Sequence, residues 1–139
     1  MSSVPAFSYV SAVSELAVTA AVYYVLWRAW RHDDFRGTLL AITLAFEALV
    51  NIAYMSIRIA SPAPELHVGA AMEALLAGHG ILSLLMFAGL VALAAEAFRL
   101  RRQGRNALRE RPRATLGFAV LWAVSVLSGE AIFLLTLFR

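Results

Sequence analysis

The sequence predicts an all-α, polytopic membrane protein, an up-and-down four-helix transmembrane bundle. Three observations carry that reading. The chain of 139 residues is 61% hydrophobic and 15% charged, where a soluble domain carries about 25% charged residues, and its mean hydropathy is +0.74. Four apolar stretches are each long enough to cross a hydrocarbon core, which takes roughly 20 residues of helix. The breaks between them are short, so successive helices run antiparallel.

A single domain, residues 1–139, holds all four spans. The first is expected over about 7–30. The start, MSSVPAFSYVSAVSELAV, lacks the positive region of a cleavable signal peptide, so this span is expected to be retained. The charged turn RHDDFRG leads to the second span, about 37–59. SPAPELH then breaks the helix, because proline lacks a backbone donor and restricts the residue before it. The third span, about 68–98, is long enough to tilt or to project from the bilayer. The basic loop RLRRQGRNALRERPR, with Gly104 and Pro112, separates it from the fourth, about 115–138.

All 12 basic residues are arginine, and seven lie between Arg99 and Arg113. Arg28, Arg31 and Arg36 flank the first connection, whereas only Arg58 adjoins the second. Arginine stays cytoplasmic because its translocation is unfavourable. The first and third loops are therefore expected in the cytoplasm of a bacterial inner-membrane protein, with both termini outside. Trp27, Trp30 and Trp122 would then mark the inner interface, and Tyr9 and Tyr54 the outer one. The positive-inside pattern explains the net charge of +3, and no nucleic-acid partner is expected. The absence of cysteine excludes disulfides, iron–sulfur clusters and thiolate zinc sites.

Five glutamates, Glu15, Glu47, Glu73, Glu96 and Glu130, fall within the expected spans, with Asn51 and His79. An ionised side chain at the bilayer centre costs on the order of 3 kcal/mol by insertion scales. Glu96 stands three residues before Arg99, a spacing that permits a pair on the helix surface. The remaining polar groups gather in the outer half of the bundle. Glu47, Asn51, Tyr54 and Arg58 share one face of the second helix, and Ser8, Ser11, Glu15 and Thr19 form a stripe on the first. Two such stripes opposed would satisfy each other and specify helix pairing, or enclose a narrow wet cavity.

The first two readings of His79 are a hydrogen-bonded structural residue and a cofactor-binding ligand for haem or another metal. His32 and His67 lie in loops at unsuitable depth for a second axial ligand. Glu73 and His79 stand about 120° apart around the helix, which gives no bidentate metal pair. Quinone contact and proton relay are the other roles open to this imidazole. On the third helix Ala70, Ala74 and Gly78, continued by Ala88 and Ala92, form a small-residue stripe suited to helix packing or to a partner. No phosphate loop, serine elbow or zinc-protease motif is present, so no enzyme activity is expected.

In architecture, over nearly its whole length, the chain resembles the small four-helix bacterial membrane proteins of the CtaM type, which assist maturation of haem–copper cytochrome oxidases. The residues that carry the resemblance are WRAWRHDDFRGTLLAI, NIAYMSIRI, HGILSLLMFAGLVALAAEAFRLRRQ and LGFAVLWAVSVLSGEAIFLL. That family also has a histidine in the first cytoplasmic loop and another before the fourth span. Here the first is displaced to His32 and RERPRATLG has none. The resemblance carries over His79, Tyr54 and Arg58, and implies an oxidase-associated role. Three functions follow as expectations. The first is a non-catalytic accessory subunit or assembly factor, partnered by lipid and by other integral membrane subunits of a respiratory complex. The second is a haem- or quinone-binding electron-transfer protein. The third is a proton or small-solute pathway through Glu15, Glu47, Asn51 and Glu130.

Overall fold

A computed structural model describes residues 6–60 and 69–137, which form the helices α1 (Ala6–His32), α2 (Gly37–Ala60), α3 (Ala70–Arg101), α4 (Ala107–Glu110) and α5 (Pro112–Leu137). Four of them, α1, α2, α3 and α5, are long and apolar enough to cross a membrane. The protein is an all-helical, multi-pass membrane protein, as its composition requires. His67 and the proline-containing connection lie outside the described residues, as does the side chain of Arg58.

The elements differ from expectation at three places. The third span begins at Ala70 and runs on to Arg101, beyond the expected 98. The fourth begins at Pro112, three residues early. Proline fits a first helical position because its missing N–H has no partner there. The basic loop is also more than a loop, since it folds the short helix α4. Asn106 caps it by accepting from the Arg109 backbone N–H at 3.3 Å. Gly104, at φ 73°, supplies the left-handed turn that ends α3.

The four long helices close a ring: α1 packs on α2, α2 on α3, α3 on α5 and α5 on α1. Pairings between the neighbours α1 and α5 fix their antiparallel order. Tyr9 meets Phe133, Trp122 Nε1 donates to Thr19 Oγ1 at 3.1 Å, and Tyr23 Oη donates to Ala119 O at 2.6 Å. The start of α1 and the end of α5 therefore lie at one end of the bundle, called here the terminal end. The arginine-rich connections lie at the other.

The two ends are packed differently. Val18, Val22, Val25, Leu26, Leu40, Leu90, Ala94 and Trp122 form a continuous core from mid-bundle toward the arginine end. Helix α4 seals that end: Asn106 Nδ2 donates to Ala29 O at 2.8 Å and to Asp33 Oδ1 at 2.6 Å, and Thr115 Oγ1 donates to Leu108 O at 2.8 Å. Glu96 pairs with Arg99, as its spacing indicated, and also with Arg111 at 3.0 Å. Asn106→Ala removes both inter-element bonds and the cap. It is expected to cost about 1–2 kcal/mol, read as a lower unfolding midpoint in detergent.

At the same end Asp34 accepts from both Arg28 and Arg36. The Arg28 guanidinium, aided by Arg36, holds the Asp34 carboxyl below the usual carboxylate range. A carboxyl lowered by folding contributes stability above its unfolded pKa, about 4, and loses it as pH falls through the folded value. The expected result is that Asp34→Asn flattens the loss of stability below about pH 4. Identical acid slopes for the two proteins would assign that loss to other groups.

The terminal end is open. Every residue from Ile52 to Ala60 whose side chain is described is exposed, and from Ala70 to Gly78 only Met72 is not. The terminal segments of α2 and α3, from Ile52 and up to Gly78, are thus uncovered around most of their circumference.

Candidate functional site: a polar cluster shared by four helices

The polar groups that the sequence assigns to one half of the bundle converge just above the apolar core. Glu15 comes from α1, Glu47 and Asn51 from α2, His79 and Ser83 from α3, and Ser125, Ser128 and Glu130 from α5. Each span is long enough to cross the bilayer, so each of these groups enters at membrane depth. Each has to be satisfied by protein or by trapped water.

His79 is the best defined. Its Nδ1 lies 2.9 Å from Ser128 Oγ, and Ser128 Oγ donates its single hydrogen to Ser125 O at 2.7 Å. With that hydrogen on Ser125 O the hydroxyl accepts from the ring, and the proton of neutral His79 is then on Nδ1. Nε2 is left with a free lone pair. That nitrogen faces Gly129, as does Glu15 Oε2. A β-carbon at Gly129 would meet His79 Cε1 at 2.8 Å, Glu15 Oε2 at 3.2 Å and His79 Nε2 at 3.3 Å. Only a residue without a side chain lets the imidazole and the carboxyl group reach the same spot.

Glu15 is also within electrostatic reach of Glu130 and Glu47. Glu47 is partly satisfied on its own helix, because Asn51 Nδ2 donates to Glu47 Oε1 at 3.1 Å and to Glu47 O at 2.8 Å. Glu130 Oε1 is shielded from solvent and has no hydrogen-bond partner among the described residues. Glu15, Glu47, Ser83, Trp122 and Ser125 border a cavity of about 20 Å³. One water molecule needs roughly 10–15 Å³ of such space and several polar partners, and this cavity offers both.

The expected polar cluster is thus assembled in part. Glu15, Glu47, Asn51, Glu130 and His79 come together. Glu73 does not: it is exposed on the first turn of α3, on the open terminal end. The expectation that it is satisfied inside the bundle is corrected. The periodicity explains the difference, because the turn about His79 that faces α5 does not carry position 73. Tyr54 lies on the exposed part of α2. The small-residue stripe also faces away from the rest of the chain. Ala70, Ala74, Gly78, Ala88 and Ala92 are all exposed, so they do not pack the helices of this bundle.

Sequence reasoning missed Ser83, Ser125, Ser128 and Gly129. Ser125 and Ser128 stand three apart on the helix that carries Glu130, a spacing that puts them on one face. That was the available signal.

The cluster does not fit a large cofactor. Pockets for such ligands are typically 300–1,000 Å³, and the cavity bordered by Glu15 and Glu47 is about 20 Å³. Nor do three His, Asp or Glu side chains converge as metal ligands among the described residues. The chemistry this arrangement offers is hydrogen bonding and proton exchange between an imidazole, carboxyl groups and water. In comparisons with known proteins, the chain matches no family model, no curated protein and no solved structure.

Proposed function

We propose that this chain is a non-catalytic accessory subunit or assembly factor of a larger respiratory or electron-transfer complex. It would sit in a bacterial inner membrane with its arginine-rich loops cytoplasmic. The observation that supports this reading is the uncovered terminal segment of α2 and of α3. Lipid can surround an isolated helix, but it provides no reason to keep small residues on its surface. Ala70, Ala74 and Gly78 are uncovered on α3, and a β-carbon at Gly78 would meet nothing within 4 Å. Small residues let another helix approach closely, and that close packing drives helix association in membranes. The resemblance to oxidase maturation proteins gives the class of partner.

The test is recovery of a tagged chain in mild detergent. Respiratory subunits recovered in stoichiometric amount are the expected result. Gly78→Leu and Ala74→Leu should abolish that recovery while leaving the chain folded, because each bulky side chain covers the small-residue stripe without touching the core. A wild-type chain recovered alone, at the mass of one copy, would contradict the reading.

A further inference from the structure

We propose that His79 and Glu15 form a proton-binding site that opens toward the terminal end of the bundle and is sealed toward the arginine end. With the ring proton on Nδ1, His79 Nε2 is an acceptor, and it faces Gly129 as Glu15 Oε2 does. A hydronium ion reaching the cluster gives its proton to Nε2. One O–H bond breaks, one N–H bond forms, and water remains. The resulting imidazolium faces the Glu15 carboxylate across Gly129.

The groups that face this pair come from every neighbouring element. Helix α1 supplies Glu15 itself, α2 supplies Glu47, and α5 supplies Glu130. The cluster is electrically neutral only when its carboxyl groups carry protons or pair with an imidazolium, and a membrane interior tolerates little net charge. The cavity of about 20 Å³ bordered by Glu15 and Glu47 has room for one water to relay protons, and Glu130 Oε1, without a partner among the described residues, is a further acceptor.

The site is a dead end rather than a passage. From Val18 to Ala29 the buried face of α1 is apolar over roughly 16 Å of helix, and Val22, Leu90 and Trp122 belong to one buried apolar cluster with it. The third sequence expectation, a through pathway, needs a polar line across that layer. The inference stands apart from the accessory reading, since a proton can bind here with or without a partner.

The test uses the full chain in lipid vesicles with His32 and His67 changed to Gln, so that His79 is the one histidine. Nitrogen-15 resonances of its ring are followed as the external pH is lowered. The expected result is one protonated and one bare nitrogen at the alkaline end, with the bare one titrating. Glu15→Gln should shift that midpoint by about one pH unit or more, a tenfold change in proton affinity. Ser128→Ala, which keeps the fold, should abolish the preference for the Nδ1 tautomer. In parallel, vesicles should show no proton flux above empty ones. A ring that never titrates, an Nε2–H tautomer, a midpoint unmoved in Glu15→Gln, or a flux lost in His79→Ala would each overturn the proposal.

Discussion

Replacing Gly129 by alanine is expected to dismantle the His79 site. The new β-carbon would stand 2.8 Å from His79 Cε1 and 3.2 Å from Glu15 Oε2. Real β-carbons do not tolerate the first of these distances, so the imidazole has to move. Its bond to Ser128 moves with it. Overpacking of this kind costs about 2 kcal/mol. The loss should appear as a lower unfolding midpoint, together with the loss of the ordered histidine tautomer in nitrogen-15 spectra. Substitution at Gly78 gives the contrast, because an added β-carbon there meets nothing within 4 Å. Gly78→Ala should be neutral to stability. If Gly129→Ala and Gly78→Ala behave alike, the close approach at Gly129 does not exist in the membrane.

The second large effect is expected at Trp122. Its ring is 5% exposed and packs with Phe118, Val18 and Val126, while its indole N–H donates to Thr19. In a bilayer the unfolded reference is already apolar, so removal from water is not what the ring contributes to helix association. What remains is dispersion and the cavity left on truncation. Trp122→Ala is therefore expected to cost about 3 kcal/mol, the low end of the range for aromatic truncation in soluble cores. Trp122→Phe keeps most of the volume and loses the bond to Thr19, and should cost about 1 kcal/mol. Midpoints measured by denaturation in mixed micelles separate the two.

The four spans were legible because a bilayer leaves little choice. A chain this apolar has to satisfy its backbone within helices, and length sets where each begins and ends. The turn at Arg31–Gly37 was equally legible from its charges. The short helix α4 was not, because seven arginines in fifteen residues dominate the reading of that loop, while its cap depends on a single asparagine that also reaches Ala29 and Asp33. Depth counted along each helix predicted that Glu15, Glu47, His79 and Glu130 share one half of the bundle. Which way each side chain turns depends on packing. This is why Glu73, only six residues from His79, is exposed on the terminal end. The serines that orient His79 carry no signal alone, since isolated serines in membrane helices commonly bond their own backbone. Ser14 and Ser128 both do so here.

The central claim is structural and directional: a polar site shared by four helices, reached from the terminal end, above a sealed apolar core. The chain has no cysteine, so single cysteines report without background. The most direct measurement is labelling by a membrane-impermeant maleimide in sealed vesicles. Ser11→Cys and Asn51→Cys, at half-buried positions near the cluster, should react from the side that carries the termini. Ala29→Cys and Ala94→Cys, at positions 0% and 2% exposed, should stay unlabelled from either side. Inert cysteines at positions 11 and 51, with labelling at 29 or 94, would contradict the account.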